Sequence, residues 1–393
     1  MNNSAQYYDV LVVGAGTAGI CAALASARQG RKTVLMEEKA FPGGTAVNCQ
    51  HQYICGLYHQ SERQPAATLN PGISREITSF FEHAPRRIGR VFVHPFDCGR
   101  FAKIADEILQ KQANLATVYQ AAAIWTQQSA NRITKVGVQQ KQGVQTIQPG
   151  AVIDCSGQGA VLRASSACFD LTEPGSRQLA GFTVQLRDLD SPDEMTPLEV
   201  PYILNKAVKN ARLPSHFRFT KFLPSESAGE GFLKINVPDS LTDQDRELRT
   251  QALEAQRILC WEHRVFKHSR VKRMSPLVSN REAPRMAGQY TLDRQDILNA
   301  GKFDDAACKC AWPIELWEPD RGPTYQYLPE EEYYEIPKRC LQSRDIENLF
   351  AAGLLISTTR EAQGSTRVMG GCMATGEQAG LLACDYLDAT SST

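Results

Sequence analysis

Between Tyr7 and Glu37 the chain spells out a strand, a glycine turn, a helix and a second strand, an order that fits little besides a parallel βαβ unit. Tyr7-Tyr8-Asp9-Val10-Leu11-Val12-Val13 is β-rich and bounded by glycine, as a buried parallel strand should be. Gly14-Ala15-Gly16-Thr17-Ala18-Gly19 follows, then an alanine-rich helix through about Gln29, closed by Gly30, and a strand from Lys32 to Met36 that ends at Glu37. Gly14 permits the tight turn, Gly16 lets the backbone approach a pyrophosphate, and Gly19 lets helix and strand pack closely. Free N–H groups and the helix dipole at the start of the helix suit anionic phosphates. Glu37 stands where a carboxylate can accept both ribose hydroxyls of a bound dinucleotide. The unit alone leaves FAD and NAD both open.

The uncharged run from Val10 to Ala27 approaches the length of a membrane span, but its spaced glycines are better explained by strand, turn and helix. With 393 residues the chain is long enough for two or three domains. Its 43 basic and 43 acidic side chains balance, which counts against a chain-wide surface for nucleic acid. The twelve cysteines are scattered rather than spaced as a disulfide framework, so a reducing cytoplasm is expected. The start, Met1-Asn2-Asn3-Ser4, lacks the basic region of a secretory signal. Cys308-Lys309-Cys310 has no second ligand pair at zinc spacing, and no metal site is expected.

Phe41-Pro42-Gly43-Gly44-Thr45 comes just after Glu37, and its glycine pair would let backbone lie against a flat ring without side-chain clash. Asp97 to Ala113 reads as an amphipathic helix, followed by strand-like runs at Leu115–Tyr119, Ala122–Thr126, Ile133–Gln139 and Val144–Gln148. Ala151-Val152-Ile153-Asp154 is a further strand, running into Cys155-Ser156-Gly157. Asn348-Leu349-Phe350-Ala351-Ala352-Gly353 is another, and a small-residue helix is expected from Cys372 to Leu387. Asp293-Arg294-Gln295-Asp296 looks like a helix start, stopped by Gly301.

The order of these stretches, with Asn280 to Arg285, Tyr290 to Leu292, Ile336 to Leu341 and Arg367 to Met369, resembles the FAD-dependent oxidoreductases of the glutathione-reductase-like two-dinucleotide superfamily. The resemblance implies an α/β fold: a discontinuous FAD domain with a Rossmann-like parallel sheet, residues 1–175 and 276–393, interrupted at 176–275 by an inserted α+β substrate or cap domain. It places FAD on Gly14, Ala15, Gly16, Thr17, Ala18 and Gly19, with the adenosine ribose on Glu37 beside Glu38. Gly43, Gly44 and Thr45 would run along the ribityl and flavin, and Ser156 and Gly157 near the pyrophosphate. Gly353 would lie on the cofactor, with Arg367, Val368 and Met369 bringing the last helix to the flavin's pyrimidine edge. Leu354 departs from the relatives' usual Asp or Arg there, which weakens a ribityl contact.

A dithiol relay directly after the glycine pair is ruled out, because Ala46 and His51 stand where the two cysteines would be. Cys49 is read as a buried, inert thiol. Gly157-Gln158-Gly159 lacks the third glycine of a second nucleotide site, so electrons are expected to come from the substrate itself and pass to oxygen or another acceptor. A dehydrogenase or oxidase of a small metabolite is the leading expectation; the alternative is an NAD(P)H-driven monooxygenase or reductase without a nicotinamide domain. His51, beside the flavin loop, is the candidate base, with Arg281 and Glu282 as further catalytic candidates and His59 and Glu361 as weaker ones. The basic run from Arg257 to Arg273 reads either as a solvated face or as a funnel for a carboxylate- or phosphate-bearing substrate. The expected partners are that substrate and an electron acceptor, with neither nucleic acid nor membrane; a homo-oligomer is compatible with the sequence.

Overall fold

A computed structural model describes residues 5–242 and 244–391. Strand Gln6–Val13 is the axis of a seven-stranded sheet. On one side it pairs in parallel with Thr33–Glu37, which in turn pairs in parallel with Leu115–Tyr119. On the other side it pairs in parallel with Gly143–Asp154, and the hairpin Ala122–Ser129/Arg132–Gln140 extends that edge antiparallel. Val10 to Val13 are buried without exception, the continuous apolar run that a parallel strand covered on both faces requires.

The register aligns the carboxyl ends. Val13 lies opposite both Met36 and Asp154, and Ala351 of strand Leu349–Ala351 lies opposite Asp154. The turn after Val13, Glu37, the loop after Asp154 and Gly353 therefore gather at one edge, where ligands of such sheets bind.

Val144–Gln148 and Ala151–Asp154, expected as separate strands, form one strand of 12 residues. Its neighbour changes midway: the antiparallel hairpin reaches Ile147 and the parallel strand begins at Val152. Pro149-Gly150, the apparent breaker, falls in that gap, while Pro149 stays in parallel register with Tyr8 of the central strand. Asn348, fully buried, fills the gap, donating to Gly150 O at 3.0 Å and to Ile133 O at 2.9 Å and accepting from Ile133 N at 2.9 Å.

Helix Thr17–Arg28 is buried from Thr17 to Ala27 between the sheet and the last helix. That last helix runs Met369–Ser391, longer than expected at both ends, and helix Arg360–Thr366 precedes it. The helices cross backbone to backbone, since a Cβ on Gly376 would stand 2.1 Å from Ala18 O. Asp97 caps helix Cys98–Lys111 by accepting from Arg100 N at 2.7 Å, and Asp293 caps Arg294–Leu298 in a capping box with Asp296.

A second sheet, antiparallel, has the order Lys221–Pro224, Gly231–Val237, Ala180–Arg187, Arg270–Met274. Phe182, Val184, Leu186, Leu233, Ile235 and Val237 point into a core shared with helices Thr196–Lys209 and Asp245–Glu262. Strand alternation sends Thr183, Gln185, Lys234 and Asn236 to the opposite face. That face meets the loop after Gly44: Thr183 Oγ1 donates to Cys49 O at 2.8 Å and Leu277 N to Asn48 O at 3.4 Å. Among the described residues no helix is long and apolar enough to cross a membrane.

Candidate functional site: a dinucleotide cradle and a cation-lined crevice

Gly14 follows strand Gln6–Val13 at φ +97°, a conformation that disfavours a side chain, and its N–H donates to Met36 O at 2.7 Å. A Cβ on Gly14 would meet Cys155 O at 2.6 Å, and one on Gly19 would overlap Gly14 O at 1.7 Å. The turn is thus sealed against the second crossover and against its own helix. Gly16 is the N-cap and brings no side chain to the first-turn N–H groups of Thr17, Ala18 and Gly19, which leaves them available to an anion.

The glycine pair closes over this turn. Gly43 N donates to Ala15 O at 2.8 Å, and a Cβ on Gly44 would come within 2.7 Å of Gly16 Cα. Thr45 is exposed at the start of the short helix Gly44–Asn48. A Cβ on Gly157 would meet nothing within 4 Å, and the nearest neighbour of one on Gly16 would be Gly44 Cα at 3.9 Å. Both positions border open space at the helix start, and the residues fit a bound pyrophosphate.

Glu37 is nearly buried. Oε2 accepts from Ala15 N at 2.7 Å and Oε1 from Lys39 N at 2.9 Å, which fixes the carboxylate while each oxygen keeps a lone pair for a ribose hydroxyl. Glu38 instead points to solvent and pairs with Lys39 at 3.1 Å. Ser156 is occupied within its own loop, donating from Oγ to Asp154 Oδ1 at 2.6 Å and accepting from Ala160 N at 2.9 Å. Gly353, at φ +68°, packs on Ala18 and Cys372, and its N–H donates to Thr375 Oγ1 at 3.1 Å.

The chain belongs to the FAD dependent oxidoreductase family, whose sequence pattern matches residues 9–392. FAD is accordingly the protein's cofactor, and the cradle is a dinucleotide site of the kind that FAD needs. The fold is similar to a geranylgeranyl bacteriochlorophyll reductase-like protein from Thermoplasma acidophilum (11% identity, TM-score 0.49, covering 99% of this chain and 80% of that one). It is also similar to p-nitrophenol 4-monooxygenase from Pseudomonas putida DLL-E4 (9% identity, TM-score 0.48, covering 99% and 82%). A third similar structure is the anhydrotetracycline hydroxylase OxyS from Streptomyces rimosus (12% identity, TM-score 0.49, covering 99% and 63%).

Beyond the cradle, the 48–52 loop, the polar face of the antiparallel sheet, the hairpin Ile314–Glu318/Gly322–Gln326 and the residues before the last helix enclose a group of charges. Lys234 Nζ donates to Thr183 Oγ1 at 2.9 Å and to Gln50 O at 3.1 Å; Gln50 itself takes φ +50° to present that carbonyl. Arg281 donates to Leu179 O and, at 3.3 Å, to Asn236 Oδ1, and stacks 4.2 Å over Trp317. Arg367 donates to Glu315 O at 3.2 Å and pairs with its carboxylate at 3.5 Å. Glu315 also accepts from Trp317 Nε1 at 2.8 Å, Trp312 Nε1 at 3.2 Å and Tyr325 OH at 3.2 Å. Burial pushes the Glu315 carboxyl up, but Arg367, Arg281 and the two indole donors outweigh it and hold the group below its ordinary value.

His51 lies in this group with Nε2 3.4 Å from Ser279 Oγ. Burial, then Lys234, Arg281 and Arg367, push its imidazolium down to about 3. At neutral pH the ring is therefore uncharged and a weak base, a poorer one than an unperturbed histidine would be. Burial likewise brings Lys234 to about 7 and Arg281 to about 9. All three side chains are deep in the protein yet keep some accessible surface, the mark of groups that line a crevice.

Glu282 is placed differently. Its side chain is 2% exposed, and Oε1 accepts from Arg360 Nε at 2.9 Å and Gln178 N at 3.0 Å, so it anchors a structural ion pair. Glu361 sits in the first turn of helix Arg360–Thr366, and His59 packs edge-on against Tyr333. Half of the basic run resolves into surface pairs, Arg257 with Glu254, Arg264 with Asp193 and Lys272 with Glu230, while Arg273 donates to Gln185 Oε1 at 2.8 Å. Lys234 and Glu315 were not singled out from the sequence. A signal for the first existed: a lone lysine inside Phe232-Leu233-Lys234-Ile235-Asn236-Val237 needs a reason to be there.

Proposed function

We propose that this protein oxidises a small metabolite directly on its FAD, as a dehydrogenase or oxidase, and passes the electrons to oxygen or another acceptor. What supports this reading over a two-dinucleotide reductase is the character of the segment between the two halves of the cofactor domain; an NAD(P)H-driven enzyme without a nicotinamide unit is separated by the NADPH test below. A nicotinamide dinucleotide held in a second unit would need a parallel strand, a glycine turn and a helix. The segment instead builds an antiparallel sheet whose polar face closes on the flavin loop, as a wall for a substrate. The thiols nearby point the same way: burial pushes Cys49 and Cys55 up to about 12, so neither supplies the thiolate that a dithiol relay needs.

FAD, when bound, accepts two electrons at its ring. The chain's own residues would do the rest. The first turn of helix Thr17–Arg28 holds the phosphates, and Glu37 orients the ribose. Arg367, held by Glu315 just before helix Met369–Ser391, sets positive charge where a reduced ring gathers negative charge. Arg281 and Lys234 orient the substrate from the sheet side, and His51 with Ser279 takes its proton at Nε2.

The test is anaerobic mixing of the purified yellow protein with candidate metabolites. Bleaching of the visible flavin bands by a metabolite alone is expected. Rapid bleaching by NADPH without any metabolite would transfer the protein to the monooxygenase or reductase class.

A further inference from the structure

Lys234 has no carboxylate acting on it among the described residues, and Arg281 only feels Glu315 at a distance, without a direct pair. Among the described residues neither forms a salt bridge; their hydrogen-bond partners are the carbonyls of Gln50 and Leu179, the Thr183 hydroxyl and the Asn236 amide oxygen, all neutral. The one carboxylate in the group, Glu315, is engaged by Arg367, two indoles and a phenol. Deeply placed charges are ordinarily paired, because removal from water costs several kcal/mol per ion.

The two cations are also aimed together. Lys234 and Asn236 project from the same face of strand Gly231–Val237, two residues and so about 7 Å apart. Arg281 is fastened to Asn236. Opposite them in the ladder, Thr183 faces Lys234 and Gly181 faces Asn236, and the Arg281 guanidinium lies against Gly181, 3.6 Å from where a Cβ would stand. Arg281 has five N–H groups and two acceptors, and Lys234 three N–H groups and two acceptors. Both cations lie close enough to His51 to depress it, so the donors left over belong to one charged cluster with it.

Resting on the reading of this crevice as the substrate site, we infer that Lys234 and Arg281 form a subsite for the carboxylate of an organic acid, which places the substrate among small carboxylic acids. The carboxylate supplies the charge that the pair lacks. It also offsets the part of the suppression of His51 that comes from Lys234 and Arg281, burial remaining the larger cause, so a seated acid makes the imidazole a better base.

The experiment uses the FAD-loaded protein and follows the flavin spectrum and calorimetric heat at constant ionic strength. The probes are acetate, succinate, acetamide and inorganic phosphate. Carboxylate binding is expected, with acetamide silent, and with affinity at least tenfold weaker in Lys234→Met and in Arg281→Met but unchanged in Lys272→Met on the exposed edge strand. Lys234→Arg should restore most of it. Should a variant fail to fold, the wild type still decides. The groups facing Lys234 are Arg281, His51, Cys49, Cys55 and Cys98, so a carboxylate requiring its ammonium must bind more weakly as pH rises above the lysine's titration. Equal binding of acetamide and acetate, variants that bind carboxylates like wild type, or phosphate binding that carboxylates cannot displace would each overturn the inference. Carboxylate binding without bleaching by any metabolite would sustain the subsite and remove the direct-oxidation reading. Bleaching by an uncharged metabolite, unaffected by either variant, would do the reverse.

Discussion

Replacing Lys234 by methionine should stabilise the protein, and the size of the gain should depend on pH. In the unfolded chain the ammonium titrates near 10.5, whereas in the folded protein burial brings it to about 7. Below pH 7 both states hold the proton and the fold bears the full penalty. Between 7 and 10.5 the unfolded chain binds more protons, so this group makes stability rise with pH until the penalty is gone. At about 1.4 kcal/mol per unit, the ceiling is about 5 kcal/mol. Water in the crevice trims that value, and methionine leaves the Gln50 carbonyl without its ammonium donor, a loss of about 1 kcal/mol. The net expectation is that Lys234→Met exceeds wild type by about 2–4 kcal/mol at pH 6, with the gap closing toward pH 10. Urea unfolding of both proteins, saturated with FAD and followed from pH 6 to 10, measures it. A gap that stays constant across this range, or a variant weaker at pH 6, would show that the ammonium is not held against an uncompensated penalty.

Other substitutions probe the remaining parts. Gly19→Ala, whose Cβ would overlap Gly14 O at 1.7 Å, should abolish retention of FAD in the purified protein, whereas Gly30→Ala, with nothing within 4 Å, should cost only about 1 kcal/mol for its positive φ. His51→Ala should keep FAD and slow flavin reduction by 100-fold or so; an unchanged rate would remove the base assignment. Glu282→Gln breaks the buried pair with Arg360 and should lower stability by about 3 kcal/mol in urea while leaving the flavin spectrum alone. Asp97→Ala should cost about 1 kcal/mol through loss of the helix cap, with no effect on cofactor content.

Local rules made the cofactor half legible. A run of buried β-formers followed by three spaced glycines has one economical geometry, and Gly14, Gly19 and Glu37 do what that geometry requires. Asp293 announces its helix because a cap is a contact between residues three apart. Pro149-Gly150 misled for the opposite reason: whether a proline breaks a strand depends on what stands beside it, and here strands Gln6–Val13 and Leu349–Ala351, which flank it, come from far along the chain. The crevice was hidden in the same way. Lys234, Arg281, Glu315 and Arg367 come from four distant segments, and their charges acquire meaning only through one another. His51 looked like an ordinary imidazole because its burial is a tertiary effect and the cations that add to it lie some 180 to 320 positions further along.

The crossing of the first and last helices has a bearing on synthesis. Ser26 Oγ reaches Gly380 O at 3.3 Å across a separation of 354 positions. A nascent chain therefore carries the apolar flank of helix Thr17–Arg28 unprotected until the segment from Met369 onward has left the ribosome. Premature termination anywhere before Met369 would yield a product with that flank bare, a target for chaperones and proteases rather than a partly working flavoprotein.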